Sequence, residues 1–447
     1  MAFKPDRALR WDVLELHLDE AAFLWQQWEK ALDSPLHVFP DLAEGLERRL
    51  DAHLSALAAA GRRAADRLLT PALADKDLDR ARAAASALLA PGEGRDIAAV
   101  IKAYAHGKQV NRPAIARALQ LSASPEVSQQ LLPLLEVTVP FTLVPAIWLL
   151  AFRRAIPEPD LARLLNNPDP GVASAALAAA RFAPGVAGVP MLEHALRSTP
   201  AEQEAALVTG LVSGYRSIWR LCGDLAAAPG LAGSAGRTAR VLLAMGGEDE
   251  ELDRLVAMLD DRALTADALW ALGFSGRVRA ADACLPWMEQ DDRTLARLAG
   301  EAFSAITGLE LTGRYIEEDL EFEDEEPIPF EQDDLDAKLE PGPESDLPLP
   351  EPGLVSAWWS EARPKLDPAG RYLSGRPFDL EPLVGTLQCG GARRRHMLAL
   401  ELAIRSRGAI QVETRAFAGA QVRELTAARG QRTSSAYTRP FETWMSR

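Results

Sequence analysis

Up to about Gly313, apolar residues recur at three- and four-residue steps, the period of a helix face and not of a strand. Trp11, Leu14, Leu18, Ala21, Ala22, Trp25 and Trp28 form one such stripe. Leu42, Leu46, Leu50, His53, Leu54 and Leu57 form a second over about 41–60, with Pro35 and Pro40 marking the connection. The stretch NNPDPGVASAALAAARFAPGVAG, residues 166–188, is the most specific. Asp169 and Pro170 open a helix there whose Val172, Ala175, Ala176, Ala179 and Ala180 give a small apolar face, and Pro184-Gly185 turns the chain back. Small side chains let a second helix come close. One such hairpin cannot bury its own apolar face and needs neighbours of the same kind.

The pattern repeats. Helices are predicted over 77–90 and, after Pro91-Gly92, over 96–104; residues 110–165 are less regular. New hairpins start with 200–212, 234–245, 262–272 and 293–306, and Ala175, Ala206, Ala239, Ala268 and Ala299 hold comparable places. That period, roughly 30 residues, is the one expected of short helix pairs, about six to eight of them. Second helices carry larger residues: Trp219 and Leu221, then Leu252, Leu255 and Leu259, then Leu285 and Trp287. The expected fold is all-α, an α-solenoid with an N-terminal helical cap (1–70) and a repeat array (71–316).

Charge divides the remainder of the chain. Residues 317–351 hold sixteen Asp or Glu against the single Lys338, and six prolines. A run of this kind repels itself, so 317–352 reads as an acidic, Pro-rich disordered linker. Residues 353–447 reverse the sign, with 15 Arg or Lys against 8 Asp or Glu. They read as a small, mainly helical basic C-terminal domain. It has helices near 354–363 and 391–405 and an extended segment or short strand at Ile410, Val412 and Thr414. A net −15 segment tethered beside a +7 domain suggests that the acidic run shields that domain or the array until a partner arrives.

The whole chain of 447 residues carries a formal charge of −15, with a pI near 5.0, which argues against nucleic-acid binding. Cys222, Cys284 and Cys389 are far apart with no CxxC spacing, so they read as small buried hydrophobes in a reducing compartment. Acids at Asp6, Asp12 and Glu15 leave no export signal. The most lipid-like stretch, 137–152, is broken by Pro140 and Pro145, is too short to span a bilayer, and is read as a buried helix. The expected location is cytoplasmic, with no membrane insertion.

Searches for chemistry return little: no GxGxxG after a strand, no P-loop, no GxSxG and no HExxH. His17, His37, His53, His106, His194 and His396 are scattered, and His53 reads as a packing residue. No catalytic residue, metal ligand set or cofactor site is assigned. The run Gly390-Gly391-Ala392-Arg393-Arg394-Arg395-His396 could seat an anion, but three consecutive arginines face three directions and at most two converge. Local ion pairs, or docking on acidic residues, are the plainer uses. Trp25/Trp28 and Trp358/Trp359 read as core anchors, or as interface residues if exposed. Periodicity nominates Arg216, Trp219, Arg220, Arg254 and Met258 on second helices as partner contacts, with Trp358, Trp359, Arg393, Arg394 and Arg395 beside them.

The hairpin DPGVASAALAAARFA resembles HEAT-like repeats of the kind named from phycobiliprotein lyases. More narrowly, HLDEAAFLW (17–25), LAGEAFSAITGLEL (298–311), GRYLSGRPFD and RRRHMLALELAIRSRG resemble blocks of an uncharacterised proteobacterial family of HEAT-like proteins. The resemblance covers nearly the whole chain and implies a HEAT-like solenoid. The family has no established activity, and no catalytic residues carry over. Its members are often encoded beside type VI secretion components. This implies a non-enzymatic protein-binding scaffold or adaptor, with an effector or a spike component as partner and an oligomeric state left open. A HEAT-like nucleic-acid-processing enzyme is the alternative, as is a bilin-lyase-like protein, although no tetrapyrrole-binding feature is matched.

Overall fold

The computed structural model describes residues 9–228, 234–317, 342–429 and 436–445. The described chain is an all-α helical-repeat fold; its only strands are the two-residue pair Tyr372–Leu373 and Arg376–Pro377. Helix starts follow the local chemistry. Asp77 accepts the amides of Asp79 and Arg80, Asp169 that of Val172, and Asp292 those of Thr294 and Leu295. Thr199 and Glu202 form a reciprocal capping box. Each side-chain acceptor satisfies amides that have no partner inside their own helix. The five phased alanines, Ala175, Ala206, Ala239, Ala268 and Ala299, are all no more than 1% exposed, so the small-residue positions are where helices meet.

Two compact units result. The first comprises 1–33, 37–188 and 411–426. Helix Trp11–Ala31 packs on Arg48–Ala59 and on Leu78–Leu89; the latter packs in turn on Arg112–Leu121, and Pro140–Phe152 on Pro170–Ala179. Six of the seven stripe residues of the first helix are buried, with Trp11 half-buried. The second predicted helix begins irregularly: residues Leu42–Glu47 are wound as a π-helix before the α-helix Arg48–Ala59. The less regular region resolves into four helices, Arg112–Leu121, Pro125–Leu131, Pro140–Phe152 and Glu158–Leu165.

Segment 411–426 belongs to this unit. Phe417 packs on Trp25 and Trp28, ring centroids 5.6 and 5.0 Å away. Glu47 accepts both the Trp28 indole N–H (2.9 Å) and the Ala418 amide (2.8 Å). Arg117 pairs with Glu29 and donates to the Arg415 carbonyl, and Arg415 pairs with Asp33. The Ile410–Thr414 stretch forms no strand, and Thr414 lies in a turn.

The second unit comprises 34–36, 189–410 and 427–447. Helices Pro200–Val212, Ser234–Gly246, Thr265–Ser275 and Arg293–Thr307 pack side by side, with Arg216–Ala227, Asp249–Ala257 and Val278–Met288 alternating against them. Helix Ala392–Arg405 lies on Pro200–Val212 and Ser234–Gly246. At its middle Glu401, 0% exposed, is held between Arg371 (3.0 Å from Nη2) and Arg405 (2.7 Å from Nε). Arg371 also donates to the Phe274 and Ser275 carbonyls, and Arg405 to that of Met245, so both guanidinium groups cap helix C-termini. Burial alone would raise the Glu401 pKa; the two arginines outweigh it and hold the carboxyl below its ordinary value. Burial pushes Arg405 down to about 10, which leaves it charged at neutral pH.

The strand pair has the same task. Tyr372 N–H donates to the Gly276 carbonyl (2.8 Å), Ser374 to Ala305 (2.7 Å) and Gly375 to Ile306 (2.9 Å). Gly276 and Gly308 end their helices in the left-handed region, at φ of +66° and +75°. A Cβ on Gly276 would lie 2.3 Å from the Tyr372 carbonyl oxygen, and one on Gly308 2.6 Å from that of Ser374, so side chains are excluded at both positions. The blocks LAGEAFSAITGLEL, GRYLSGRPFD and RRRHMLALELAIRSRG therefore meet at one joint.

The residues of the expected C-terminal domain, 353–447, are divided between the two units. Residues 353–410 and 427–447 belong to the second unit and 411–426 to the first. Some of their side chains reach the repeat helices: Arg371 donates to the Phe274 carbonyl and Arg405 to that of Met245. Most of the expected linker, 318–341, lies outside the described residues. Its described ends come together: Ile316 bridges Pro350, Glu317 N–H donates to the Leu349 carbonyl (3.0 Å), and Glu351 N–H to that of Tyr315 (2.9 Å). The chain thus leaves and re-enters the second unit at one place. If residues 318–341 are the spacer that the sequence predicts, replacing them by a short Gly-Ser bridge leaves the melting temperature within about 2 °C of the intact chain, because loop length changes closure free energy by only ~0.6 kcal/mol per doubling. A thermal melt that loses cooperativity would contradict this.

Candidate functional site

Helix Pro140–Phe152 carries one of the exposed apolar rows among the described residues. Pro140 sits at its first turn, where its missing N–H costs nothing, and Val139 enters in an extended conformation. Leu143, Ala146, Ile147 and Leu150 are buried against the neighbouring helices. The opposite face is not covered: Phe141 is 55% and Trp148 49% exposed, seven residues and about 10.5 Å apart along one side of the helix. Half-buried Val144 and Pro145 lie between them, and exposed Val139 extends the row. The Arg112 guanidinium lies 4.6 Å from the Phe141 ring centroid. The expectation of a fully buried helix is thereby corrected: only one face is buried. An all-apolar sequence has no polar side to show water, so its second face stays open. None of the described helices is long and apolar enough to cross a membrane.

The nominated contact residues fall in three places in the second unit. Trp219, Arg220 and Arg254 line one cleft of about 390 Å³ together with Glu248, Glu250 and Glu251. Trp219 is 5% exposed and packs edge-on against Phe441 at 5.2 Å. Arg216 donates to the Met445 carbonyl (2.9 Å), and Arg220 pairs with Glu442 (2.8 Å). These side chains hold the chain's own 441–445 segment. Arg254 pairs with Glu250, and half-buried Met258 begins the turn that ends its helix. The cleft therefore offers paired carboxylates and guanidinium groups, suited to polar recognition rather than proton transfer.

Two of the three consecutive arginines, Arg393 and Arg394, meet at Glu301 and Trp270, whereas Arg395 bonds elsewhere. Arg393 bonds Glu301 (3.2 Å) and Glu344 (3.0 Å). Arg394 stacks 3.8 Å from Phe274 and 4.9 Å from Trp270, with Glu301 4.0 Å from its Nη1, and burial lowers its pKa to about 10. Arg395 donates back to the Leu387 carbonyl (3.0 Å). Glu344 is a described acid of the acidic run; burial opposes its ionisation, yet Arg393 holds its carboxyl below the ordinary value. The shielding expected of residues 318–341 in that run falls outside the described residues. Trp359 is buried, with its indole donating to Asp282 (2.8 Å), while Trp358 is half-buried and stacked on it at 6.2 Å. Cys222 and Cys284 are buried, and burial pushes the Cys284 thiol up to about 12; Cys389 is exposed, contrary to expectation.

Sequence reasoning missed two features. The Phe141–Trp148 row was readable as an i, i+7 aromatic pair, but uniform hydrophobicity hid which side was open. The contact between His17 and His53 has no local signal at all.

The class defined by these helices is an all-α helical-repeat protein. No family model matches the chain, and no curated protein matches it. Among solved structures, an engineered protein is similar over 87% of this chain and 99% of its own, at 18% identity and a TM-score of 0.29. Human deoxyhypusine hydroxylase in complex with glycerol is similar over 65% and 96%, at 15% identity and a TM-score of 0.19. Likenesses this low assign neither an activity nor a partner.

Proposed function

We propose that this chain is a protein-binding scaffold, and that the Phe141–Trp148 face is a docking surface for a partner's apolar segment. The observation that carries the reading is a Trp and a Phe about half exposed on one helix side. Large aromatics are costly to leave in water and dominate the energetics of protein contacts. The helix beneath them is fixed by its buried face, so binding orders little. Given the resemblance to proteins encoded beside type VI secretion components, the specific form proposed is an adaptor that presents an effector or spike component.

The test places a photo-crosslinking amino acid at position 148 and, separately, combines Phe141→Ser with Trp148→Ser. The probes are purified spike and effector proteins from the same genome. The double variant is expected to melt within about 3 °C of the parent, since surface changes cost little, and to lose at least tenfold in affinity. A partner that crosslinks elsewhere, with equal affinity for the double variant, would sink the assignment.

A further inference from the structure

His17 and His53 stand 36 positions apart on the packed helices Trp11–Ala31 and Arg48–Ala59, yet their Nδ1 atoms are 3.0 Å apart. The ring centroids are 5.0 Å apart and the planes cross at 67°. An ion bound at about 2.0–2.1 Å by each nitrogen would see them at roughly 90–97°, the angle between adjacent ligands in tetragonal or octahedral coordination. Both rings are half-buried: the helix pair fixes them, while solvent reaches them to fill the remaining positions.

We propose that His17 and His53 form a two-imidazole site for a divalent transition ion, Cu²⁺ or Ni²⁺, that staples the first helix to its neighbour.

The surrounding charges are mixed, Arg49 opposing a cation beside His53 and Glu20 favouring it. Burial, then His17, lower the His53 pKa, with Arg49 acting the same way and Glu20 opposing. Glu20 lies one turn along the helix from His17 and adds favourable negative charge. Among the described residues no group of three or more ligating side chains forms, so water completes the coordination and affinity is modest. The site differs in place and chemistry from the Phe141–Trp148 face and stands independently of it.

The test uses the full, untagged chain. Calorimetric titration with Ni²⁺ is expected to show one equivalent bound at micromolar affinity. His17→Gln and His53→Gln, which keep hydrogen-bonding ability, should each weaken it at least tenfold, whereas His194→Gln should not. Cu²⁺ bound to the parent should show hyperfine coupling to two imidazole nitrogens by electron paramagnetic resonance, a readout that needs no variant. Added Ni²⁺ should raise the melting temperature of the parent and of neither pair variant. No stoichiometric binding, coupling to a single nitrogen, or affinity unchanged in both pair variants would overturn the site and leave the pair a hydrogen bond.

Discussion

Glu401→Gln is expected to destabilise the second unit by about 3–5 kcal/mol, the cost of leaving buried guanidinium groups without their counter-charge. Glu401 is wholly buried between Arg371 and Arg405, and both arginines are tied to carbonyls at helix C-termini. They cannot swing into water without uncapping those helices. Urea unfolding measures the loss; a change under 1 kcal/mol would show that the arginines find solvent. The effect should depend on pH with a definite sign. The folded Glu401 pKa is lowered, so the unfolded chain binds the proton more tightly. The stabilisation is complete above the unfolded carboxyl value, about 4.3, and is lost as pH falls through the lower folded value. The gap between parent and variant should close in acid and stay constant from pH 6 to 8.

The counterpart in the first unit is Trp28→Ala, with an expected cost of about 3–5 kcal/mol for a large buried aromatic. Trp28 is 0% exposed, meets Trp25 edge-on at 5.4 Å and Phe417 at 5.0 Å, and donates its indole N–H to Glu47. Because Glu47 also accepts the Ala418 amide, the substitution should loosen a segment almost 400 positions away. Hydrogen exchange at Ala418 is expected to accelerate at least tenfold. Unchanged exchange there, with stability lost elsewhere, would mean that Phe417 is held by other contacts.

The repeats were legible because their determinants are local. Asp77, Asp169 and Asp292 announce helix starts within three residues, and the phased alanines all lie in the buried interior. The irregular opening at Leu42–Glu47 was not legible, since the leucine pattern there suits an α-helix. Composition at 353–447 is silent on long-range partners. Its charge reversal suggests a separate module, and some of its charges reach repeat helices: Arg405 reaches the Met245 carbonyl across 160 positions and Arg371 that of Phe274 across 97. Such contacts leave no periodic trace. That at most two of Arg393–Arg395 converge was readable because consecutive helical residues point 100° apart, although their partners Glu301, Phe274 and the Leu387 carbonyl were not. At the candidate site, the sequence nominated Trp219, Arg220 and Arg254, which do share a cleft, but passed over the Phe141–Trp148 row.

The most direct measurement is urea unfolding of residues 353–447 produced alone, followed by far-ultraviolet circular dichroism. If this segment completes the helical stacks and is no domain of its own, it has no core and should lose its residual helix gradually, without a sigmoidal transition. A cooperative transition at the denaturant midpoint of the intact chain would mean that the segment carries a core of its own, and would contradict its dependence on the repeat helices.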